Sequence, residues 1–570
     1  MVQIHGIRRA SADAKYRQMT GQPVKPLILK LCLPAVISNL VTTAYNLTDT
    51  FFIGQLGTAQ SGAIGIAFSI MTVMQALGFF FGNGAGNSMS RELGKQNNDR
   101  ASRLLAVGFA GAVLSGLVIA TIGLLTLRPL VVMLGSTSTI APYAVQYLTP
   151  LLVAAPCVCG SFALNGLLRY QGQSAFGMIG LVSGALLNFL LAPLLIFVLH
   201  LGIFGAGLAT AICQTVSFTI LTTMSRKFGV MKLSLRNCRP DVLLMREVAG
   251  GGLPSLIRQG AGSISVTCVN IAANPFGDAA IAGMAIVMRI MLGANSVIVG
   301  LGQGFQPVCG YNYGAGLFSR VKEGYWFCVR LATCVLVALA ALLWVFAPQL
   351  VEIFRSDPAV VAVGVAALHI QCCTVILNGF NMMGNMMTQT MGRTGIASFL
   401  ALCRQGLFLA PIVLILPMIF GVLGVEMAQS VSDVLTFVVT IRSCGESCTN
   451  CGEWVADWRE KGWGTQKQRI DVGSVASCVV SCCPDGCLYE PVTGNQGNAS
   501  ERSVHGAVRR HDWPVGRIPD HADGRVWMCE ASILRSDGVG RHVLVAAQRS
   551  HPRARVLERR RRRGPRAACR

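Results

Sequence analysis

Asp49 is the acidic residue whose setting most favours a chemical role. It lies in the stretch 27–57, which contains the roughly 20 apolar residues that a bilayer core demands, and Asn46 precedes it by almost one helical turn. A charge inside a membrane-spanning helix costs a few kcal/mol, so such residues are usually functional or paired. The alternative is that Asp49 lies near the helix end and reaches interfacial water, because Gly54 and Gly57 follow closely.

The composition of the chain is that of a polytopic membrane protein. Its 570 residues are 52% hydrophobic and 13% charged, with a mean hydropathy of +0.54, whereas soluble domains carry about 25% charged residues. The polar, basic segment 1–26 lacks the small-residue cleavage pattern of a signal peptide. The cysteines before residue 443 are scattered through apolar runs, where they act as small buried hydrophobes and say little about redox compartment.

Apolar runs of membrane-spanning length recur along the chain as far as residue 442. Short clusters of Gly, Pro and Asn separate them, and their lengths predict twelve transmembrane helices. The predicted spans are 28–53, 61–86, 104–127, 141–166, 175–199, 203–225, 247–273, 279–306, 325–347, 359–388, 396–418 and 422–441.

Lysine and arginine are distributed unequally over the predicted loops. The loops after even-numbered spans hold most of them, whereas the opposite set holds little beyond Arg128 and Arg355. By the positive-inside rule, the N-terminus, the linker 226–246 and the C-terminus are predicted to be cytoplasmic. Most of the net charge of +22 outside the tail is therefore a topology signal. The basic set comprises Arg91, Lys95, Arg100, Arg103, Arg169, Arg226, Lys227, Lys232, Arg236, Arg239, Arg246, Arg320, Lys322 and Arg393.

The chain also repeats itself at an offset of 218–220 residues. Leu33-Pro34 falls on Leu253-Pro254, and several glycines keep nearly the same offset over about 180 residues. Parallel repeats of this kind are typical of transporters whose substrate site lies between the halves. We therefore predict an all-α integral membrane protein with two pseudo-symmetric six-helix lobes, 27–225 and 247–442.

Several motifs between residues 20 and 442 resemble those of the multidrug and toxic compound extrusion (MATE) family. The resemblance implies two lobes that form a V around a central cavity, and export of organic compounds driven by inward flow of Na⁺ or H⁺ across the plasma membrane. The motifs are Asn46-x-x-Asp49 with FFIGQLG, RYQGQ at 169–173, NFLLAPLLIF at 188–197, GAGLATAICQ at 205–214, GFQPVCGYNYGA at 304–315 and SDVLTF at 432–437.

The resemblance also implies an ion-coupling site in the N-terminal lobe. In bacterial and archaeal members an acid on the first helix meets an Asn and an Asp four apart on the fifth and a Thr on the sixth. Here these positions hold Asp49, Asn188, Ala192 and Thr210, so the second acid is absent. Na⁺ prefers several oxygen ligands, whereas burial disfavours the charged form of a lone carboxylate and lets it exchange a proton. Proton coupling is therefore favoured over Na⁺.

The polar residues of the C-terminal lobe have two interpretations, a substrate cavity or internal pairing. Another branch of the family uses acids on the seventh and tenth helices, which are absent here, so we expect no Na⁺ site in this lobe. Arg404 and Asp433 are predicted to form a neutralising ion pair. The methionines of 378–392 suit either a promiscuous surface or ordinary core and lipid-facing positions. The candidate substrate-cavity residues are Asn46, Gln214, Arg258, Gln259, Asn381, Met383 and Met387.

The tail 443–570 differs abruptly from the rest of the chain. It holds 9 of the 21 cysteines and the run Arg559–Arg563. One interpretation is a metal or iron–sulfur site at Cys444, Cys448 and Cys451, and a second is a basic segment that binds anionic lipid or RNA. The favoured interpretation is a largely disordered segment read from a shifted frame and not selected as protein.

Ion-coupled efflux of cationic, amphipathic compounds is the leading hypothesis for function. Neither a Walker motif nor a nucleophile with its base is apparent, so we expect neither ATP as energy source nor an enzyme. The expected partners are small organic substrates and membrane lipid, without nucleic acid, cofactor or resident metal, and the expected state is a monomer. The alternatives are a lipid-linked oligosaccharide flippase of the same superfamily, or a membrane sensor or enzyme that uses the tail.

Overall fold

The computed structural model describes most of the chain up to residue 449 and one hairpin beyond it. The described ranges are 2–231, 233–234, 237–238, 241–355, 357–449, 528–535 and 542–549, and side chains are described except at 2–11, 46–47, 58, 444–449 and both strands. The chain forms two compact units, 1–464 and 465–570. In the second, the strands β1 (Met528–Arg535) and β2 (His542–Arg549) pair antiparallel. The rest of the predicted tail lies outside the described residues.

The first unit is helical throughout its described residues. Its first half contains α1 Val2–Gly21, α2 Val24–Gly54, α3 Thr58–Gly94, α4 Asn98–Leu125, α5 Leu127–Met133, α6 Ala141–Val153, α7 Ala155–Tyr170, α8 Ser174–Pro193 and α9 Gly202–Phe228, with a π-helical turn at Leu194–Val198. Its second half contains α10 Val242–Ala273, α11 Asp278–Gly314, α12 Phe318–Val345, α13 Ala347–Phe354, α14 Pro358–Thr390, α15 Thr394–Leu402, α16 Leu409–Phe420 and α17 Val422–Thr449, with a 3₁₀ turn at Asn274–Phe276 and a π-helical turn at Cys403–Leu407.

The all-α membrane fold class is confirmed, although two predicted spans differ in detail. Ten of the described stretches are long and apolar enough to cross a membrane, and the bent pair α6–α7 makes an eleventh. The remaining predicted span, 247–273, lies on α10, which has 32 residues. Polar side chains run through this helix, among them Arg258 and Gln259, and they keep it less apolar than the others.

The fourth span is broken, which the apolar pattern alone does not show. Helices α6 and α7 meet at a bend of 57° around Ala154, with Pro150 and Pro156 on either side. Proline lacks the backbone N–H that a continuous helix needs and its ring clashes with the preceding turn. The repeat partner α14 has Ile370 and Ile376 at these positions and runs unbroken for 33 residues.

The repeat is visible in the helix bounds themselves. Helices α3 and α11 both have 37 residues and begin and end 220 positions apart, and α4 and α12 both have 28 with the same offset. The turns before α3 and α11 contain Gly57 and Gly277, whose φ angles are 137° and 88°. These angles lie in a region that favours glycine, so both turns depend on the same residue type.

The segment before the first span forms helix α1, which the sequence analysis does not anticipate. Its last turns pack on the transmembrane bundle, because Met19 is fully buried and its carbonyl accepts a hydrogen bond of 3.1 Å from Asn312 of α11. Lys15 lies against Gly172, beyond the end of α7. Burial, and secondly repulsion by Lys30, lowers the pKa of Lys15 to about 8.

The two lobes approach each other most closely through glycines. A Cβ atom built on Gly84 of α3 would lie 2.9 Å from the backbone nitrogen of Gly252 in α10. One built on Gly304 of α11 would lie 2.4 Å from the Cα atom of Cys32 in α2. Both contacts lie towards the end of the bundle where α2 begins. The helix pairs α3–α10 and α2–α11 therefore hold the lobes together at that end.

Polar bonds reinforce the same end of the lobe interface. Glu247 of α10 accepts a 2.8 Å hydrogen bond from Arg100 of α4 and a 3.4 Å bond from Arg91 of α3. Arg169, assigned to a loop in the sequence analysis, lies instead inside α7 with 3% exposure, and it donates a 2.9 Å bond to Gln303 of the opposite lobe. The loop assignment was wrong because the apolar run gives no indication that α7 continues to Tyr170.

Candidate functional site

Asp49 forms the centre of a buried polar cluster in the N-terminal lobe. Its side chain is 5% exposed. Its Oδ2 atom accepts hydrogen bonds from the hydroxyls of Tyr147 (3.1 Å) and Thr210 (3.2 Å), and its Oδ1 atom accepts one from the Asn188 amide (3.2 Å). Four helices, α2, α6, α8 and α9, each contribute one member. The structure thus brings together the three predicted ion-site residues and adds Tyr147.

Close helix packing positions these donors. A Cβ atom on Gly207 of α9 would lie 2.4 Å from the carbonyl oxygen of Tyr147, so only glycine lets α9 approach α6 closely enough for both hydroxyls to reach one carboxylate. On α8, Asn188 and Ala192 are one turn apart and almost fully buried. Ala192, where the family pattern has an acid, therefore contributes a methyl group to the interior of the lobe.

The charge balance of the cluster suits the binding of a proton or a small cation. The groups that bond Asp49 are neutral, and no ion pair forms with its carboxylate among the described residues. The Asn188 Oδ1 atom is buried and accepts no hydrogen bond within that part of the chain. A carboxylate and a free amide oxygen side by side provide acceptors that H⁺ or a hard cation can occupy.

A small recess of about 20 Å³ adjoins the cluster inside the same lobe. Tyr45, one helical turn before Asp49, forms part of its wall, and so does the predicted substrate residue Gln214. The lining residues are Thr42, Tyr45, Gln75, Phe162, Leu181, Gly184, Ala185, Cys213, Gln214 and Ser217. In this conformation the recess is far smaller than the clefts of about 300–1,000 Å³ that hold small organic molecules.

The other predicted substrate residues do not gather around this recess. Arg258 and Gln259 lie on α10, in the opposite lobe. Asn381 of α14 is buried and donates to the carbonyl of Asp433 at 3.2 Å. The side chain of Asn46 lies outside the described residues.

The methionine prediction requires a correction. Met383 and Met387 are 0% and 1% exposed and belong to the hydrophobic core. Their face of α14 packs on α11, where a Cβ atom on Gly302 would lie 3.1 Å from the Met383 Cε atom. In this conformation their flexible side chains fill the lobe interior and do not line an open cavity, which is the alternative that the sequence pattern left open.

Arg404 and Asp433 are in direct contact in the C-terminal lobe. The Arg404 Nε atom lies 2.9 Å from Asp433 Oδ1, and Gln429 donates to the same oxygen at 3.1 Å. Asp433 is 4% exposed. The pair therefore leaves little free charge at this point of the lobe.

Tyr147 is the member of the Asp49 cluster that sequence reasoning missed. It is the donor nearest to the carboxylate, at 3.1 Å, and it lies 98 residues from Asp49. The sequence does not single it out, since Tyr143 and Thr149 of the same helix also carry hydroxyl groups. No group of three or more metal-ligating side chains occurs among the residues described, and the tail cysteines from Cys444 onward lie outside that description.

The sequence of this chain is similar to those of known proteins. A family model described as MatE matches residues 34–194 and 254–415, which is one match in each lobe. The multidrug export protein MepA of Staphylococcus haemolyticus is 27% identical over 415 residues, covering 72% of this chain and 90% of that protein. MepA of Staphylococcus saprophyticus is 25% identical over 412 residues, with coverage of 72% and 90%.

A solved structure has the same fold. It is described as the outward-facing conformation of a multidrug resistance MATE family transporter of the MOP superfamily. It superimposes with a TM-score of 0.73 at 23% identity, covering 76% of this chain and 98% of its own.

Proposed function

The chain belongs to the MatE family, and from this premise we propose that it exports organic, mainly cationic and amphipathic compounds in exchange for H⁺. Asp49 carries the proposal, because it is a buried carboxylate held by three neutral donors inside the N-terminal lobe. The relatives named above are multidrug exporters, which supports the substrate class. The plasma membrane, with both termini in the cytoplasm, is the proposed location.

The proposed mechanism couples two occupants of one lobe. A proton on Asp49 removes the buried negative charge, whereas a cationic compound that enters the lobe is attracted by that charge. Alternating access requires the two lobes to rock about their interface, and each occupant biases this motion only as far as its affinity differs between the two states. Na⁺ remains the second candidate ion, since Asn188 Oδ1 offers a free acceptor.

Dye uptake into everted membrane vesicles tests the proposal, because their cytoplasmic face is outside and export from the cell becomes uptake. A cationic dye is added to the medium around vesicles that contain the protein, under an imposed pH gradient, with and without Na⁺. We expect transport that depends on the pH gradient and is unaffected by Na⁺. Transport that depends on neither the pH gradient nor Na⁺ contradicts ion coupling. Transport that requires Na⁺ but no pH gradient indicates that Na⁺, and not H⁺, is the coupling ion.

Lower pH is expected to weaken the binding of a cationic substrate. Protonation of Asp49 removes the charge that attracts the cation, so affinity falls as pH falls, and a bound cation in turn opposes protonation. The usual coupling range of about 1–3 kcal/mol corresponds to roughly a 5- to 150-fold change in affinity. Dye affinity in detergent between about pH 5 and pH 9, for the wild type and Asp49→Asn, measures this coupling. A flat wild-type profile, or the same profile in both proteins, contradicts it.

Ala192→Asp is expected to move the ion dependence towards Na⁺. Residue 192 is buried one turn from Asn188, so a carboxylate there adds an anionic ligand to the oxygens of Asp49 and Asn188, which hard cations favour. The measurement is Na⁺-dependent dye transport in vesicles. Ala192→Asn is the matched control, because it adds an oxygen without charge. An active Ala192→Asp protein with unchanged ion dependence means that α8 does not contribute to the coupling site.

A further inference from the structure

Arg258 is a charged side chain inside a membrane-spanning helix without an acidic partner in the described part of the chain. The ion pairs found there do not involve it. Its hydrogen bond is to the neutral Oδ1 atom of Asn385, at 3.3 Å, and it has five donors in all. Arginine keeps its charge in proteins. Unpaired charges at membrane depth are costly and mark substrate or ion pathways.

Arg258 lies about one turn beyond a contact between the lobes. Ser255, about one turn earlier on α10, accepts a 3.0 Å hydrogen bond from Asn83 of the other lobe. Arg258 is partly exposed, so its guanidinium group can be reached at the edge of this contact.

The surroundings of Arg258 are positively charged. Arg169 and Arg404 are both close enough to interact with it electrostatically. The charge of Arg404 is balanced by Asp433. Arg169 is 3% exposed, and its hydrogen bonds go to uncharged amide oxygens, among them Gln303 Oε1 at 2.9 Å. Neither Arg258 nor Arg169 therefore pairs with a carboxylate among the described residues. A bound anion would lower the free-energy cost of burying both charges.

A buried tyrosine lies next to these arginines. Tyr170 is fully buried, and the guanidinium carbon of Arg169 lies 5.4 Å from the centre of its ring. The Tyr170 hydroxyl is close to Arg169 and Asn87, so Tyr170 packs beside the arginines and supplies no open donor.

We infer that Arg258 binds an anionic group, a carboxylate, on the compound that the protein exports. Guanidinium matches carboxylate through two parallel hydrogen bonds. Asn385, which is itself fixed by a 2.7 Å bond to the carbonyl of Ala397, orients Arg258 and leaves its other donors free. The inference rests on the proposed function and narrows the substrates to amphipaths that carry a carboxylate together with a cation.

A matched dye pair tests the inference. A rhodamine with a free carboxylate and its methyl ester differ only in that negative charge, and their affinities for the purified protein in neutral detergent are measured by fluorescence polarisation. The ester-to-acid ratio of Kd values reports the contribution of the carboxylate. We expect Arg258→Gln to lower this ratio about tenfold or more, as for a charged hydrogen bond.

Two further variants separate charge recognition from general damage. Arg258→Lys keeps the charge and is expected to retain most of the ratio. Arg289→Gln removes an exposed arginine of the same lobe and is expected to leave the ratio unchanged. An unchanged ratio in Arg258→Gln, or an equal loss of affinity for both dyes, overturns the carboxylate site. If the wild type exports the ester but Arg258→Gln has the same ester-to-acid ratio of Kd values as the wild type, the efflux proposal stands and only this inference fails.

Discussion

Asp49→Asn is expected to abolish ion-driven efflux while the protein remains folded and inserted. The substitution keeps the size of the side chain but removes the titratable group, so the cluster can no longer exchange a proton or attract a cation. Loss of the charge also lowers the cost of placing this residue in the membrane. The measurement is pH-driven dye transport in everted vesicles, with the amount of protein in the membrane determined in parallel.

The hydrogen bonds of the cluster explain why the fold should tolerate this change. Asn retains one acceptor oxygen, and its amide group can donate to the hydroxyls of Tyr147 or Thr210, because a hydroxyl either donates or accepts. Tyr147→Phe is the matched control, since it removes one 3.1 Å bond to the carboxylate but keeps the charge, and it is expected to retain coupled transport. Normal, still pH-dependent transport by Asp49→Asn would show that the coupling group lies elsewhere.

The residues of this site that belong to local sequence motifs could be predicted from the sequence. The match of Asp49, Asn188 and Thr210 to the family pattern depends on local motifs, and the structure places Asn188 and Thr210 within hydrogen-bond distance of Asp49. Tyr147 was missed because its contact with Asp49 spans 98 residues and produces no periodicity. Such pairings follow from helix packing, which a single sequence does not display.

The fold shows the same division between local and long-range information. Twelve apolar runs and the 220-residue offset predict the number and order of helices, and the bounds of α3 and α11 follow that offset. The burial of Arg169 was not predictable in this way, because a basic residue near a helix end also fits a loop. Its burial depends on the amide oxygens of Asn83 and Gln303, which reach it from other helices.

Gly84→Val is expected to part the lobes at the end where they now meet. A Cβ atom at this position would lie 2.2 Å from the carbonyl oxygen of Val248 and 2.9 Å from the nitrogen of Gly252. Both are backbone atoms of α10, so the strain is relieved only when α3 and α10 separate. Overpacking costs about 1–3 kcal/mol, and if it acts on the closed state alone, it shifts the population of that state about 5- to 150-fold.

Thiol labelling measures this shift. Cys309 of α11 is fully buried, and the next residue, Gly310, lies against Ser90 of the other lobe. In a background that retains Cys309 as the only cysteine, Gly84→Val is expected to make it reactive towards a water-soluble maleimide and to slow dye export by a similar factor. Gly304→Val should act in the same way, since Gly304 is the repeat partner of Gly84 and its Cβ atom would lie 2.4 Å from the Cα atom of Cys32.

Gly65→Val provides the control on the same helix. A Cβ atom on Gly65 would meet nothing within 4 Å, so the same pair of methyl groups is expected to leave both labelling and transport unchanged. Comparison of thermal unfolding temperatures separates a shift between conformations from a loss of stability, because a lobe that merely unfolds exposes Cys309 only together with a lowered unfolding temperature. If Cys309 stays protected in a folded, fully active Gly84→Val protein, the glycine contacts do not hold the lobes closed, and the polar bonds of Glu247 with Arg91 and Arg100 must do so.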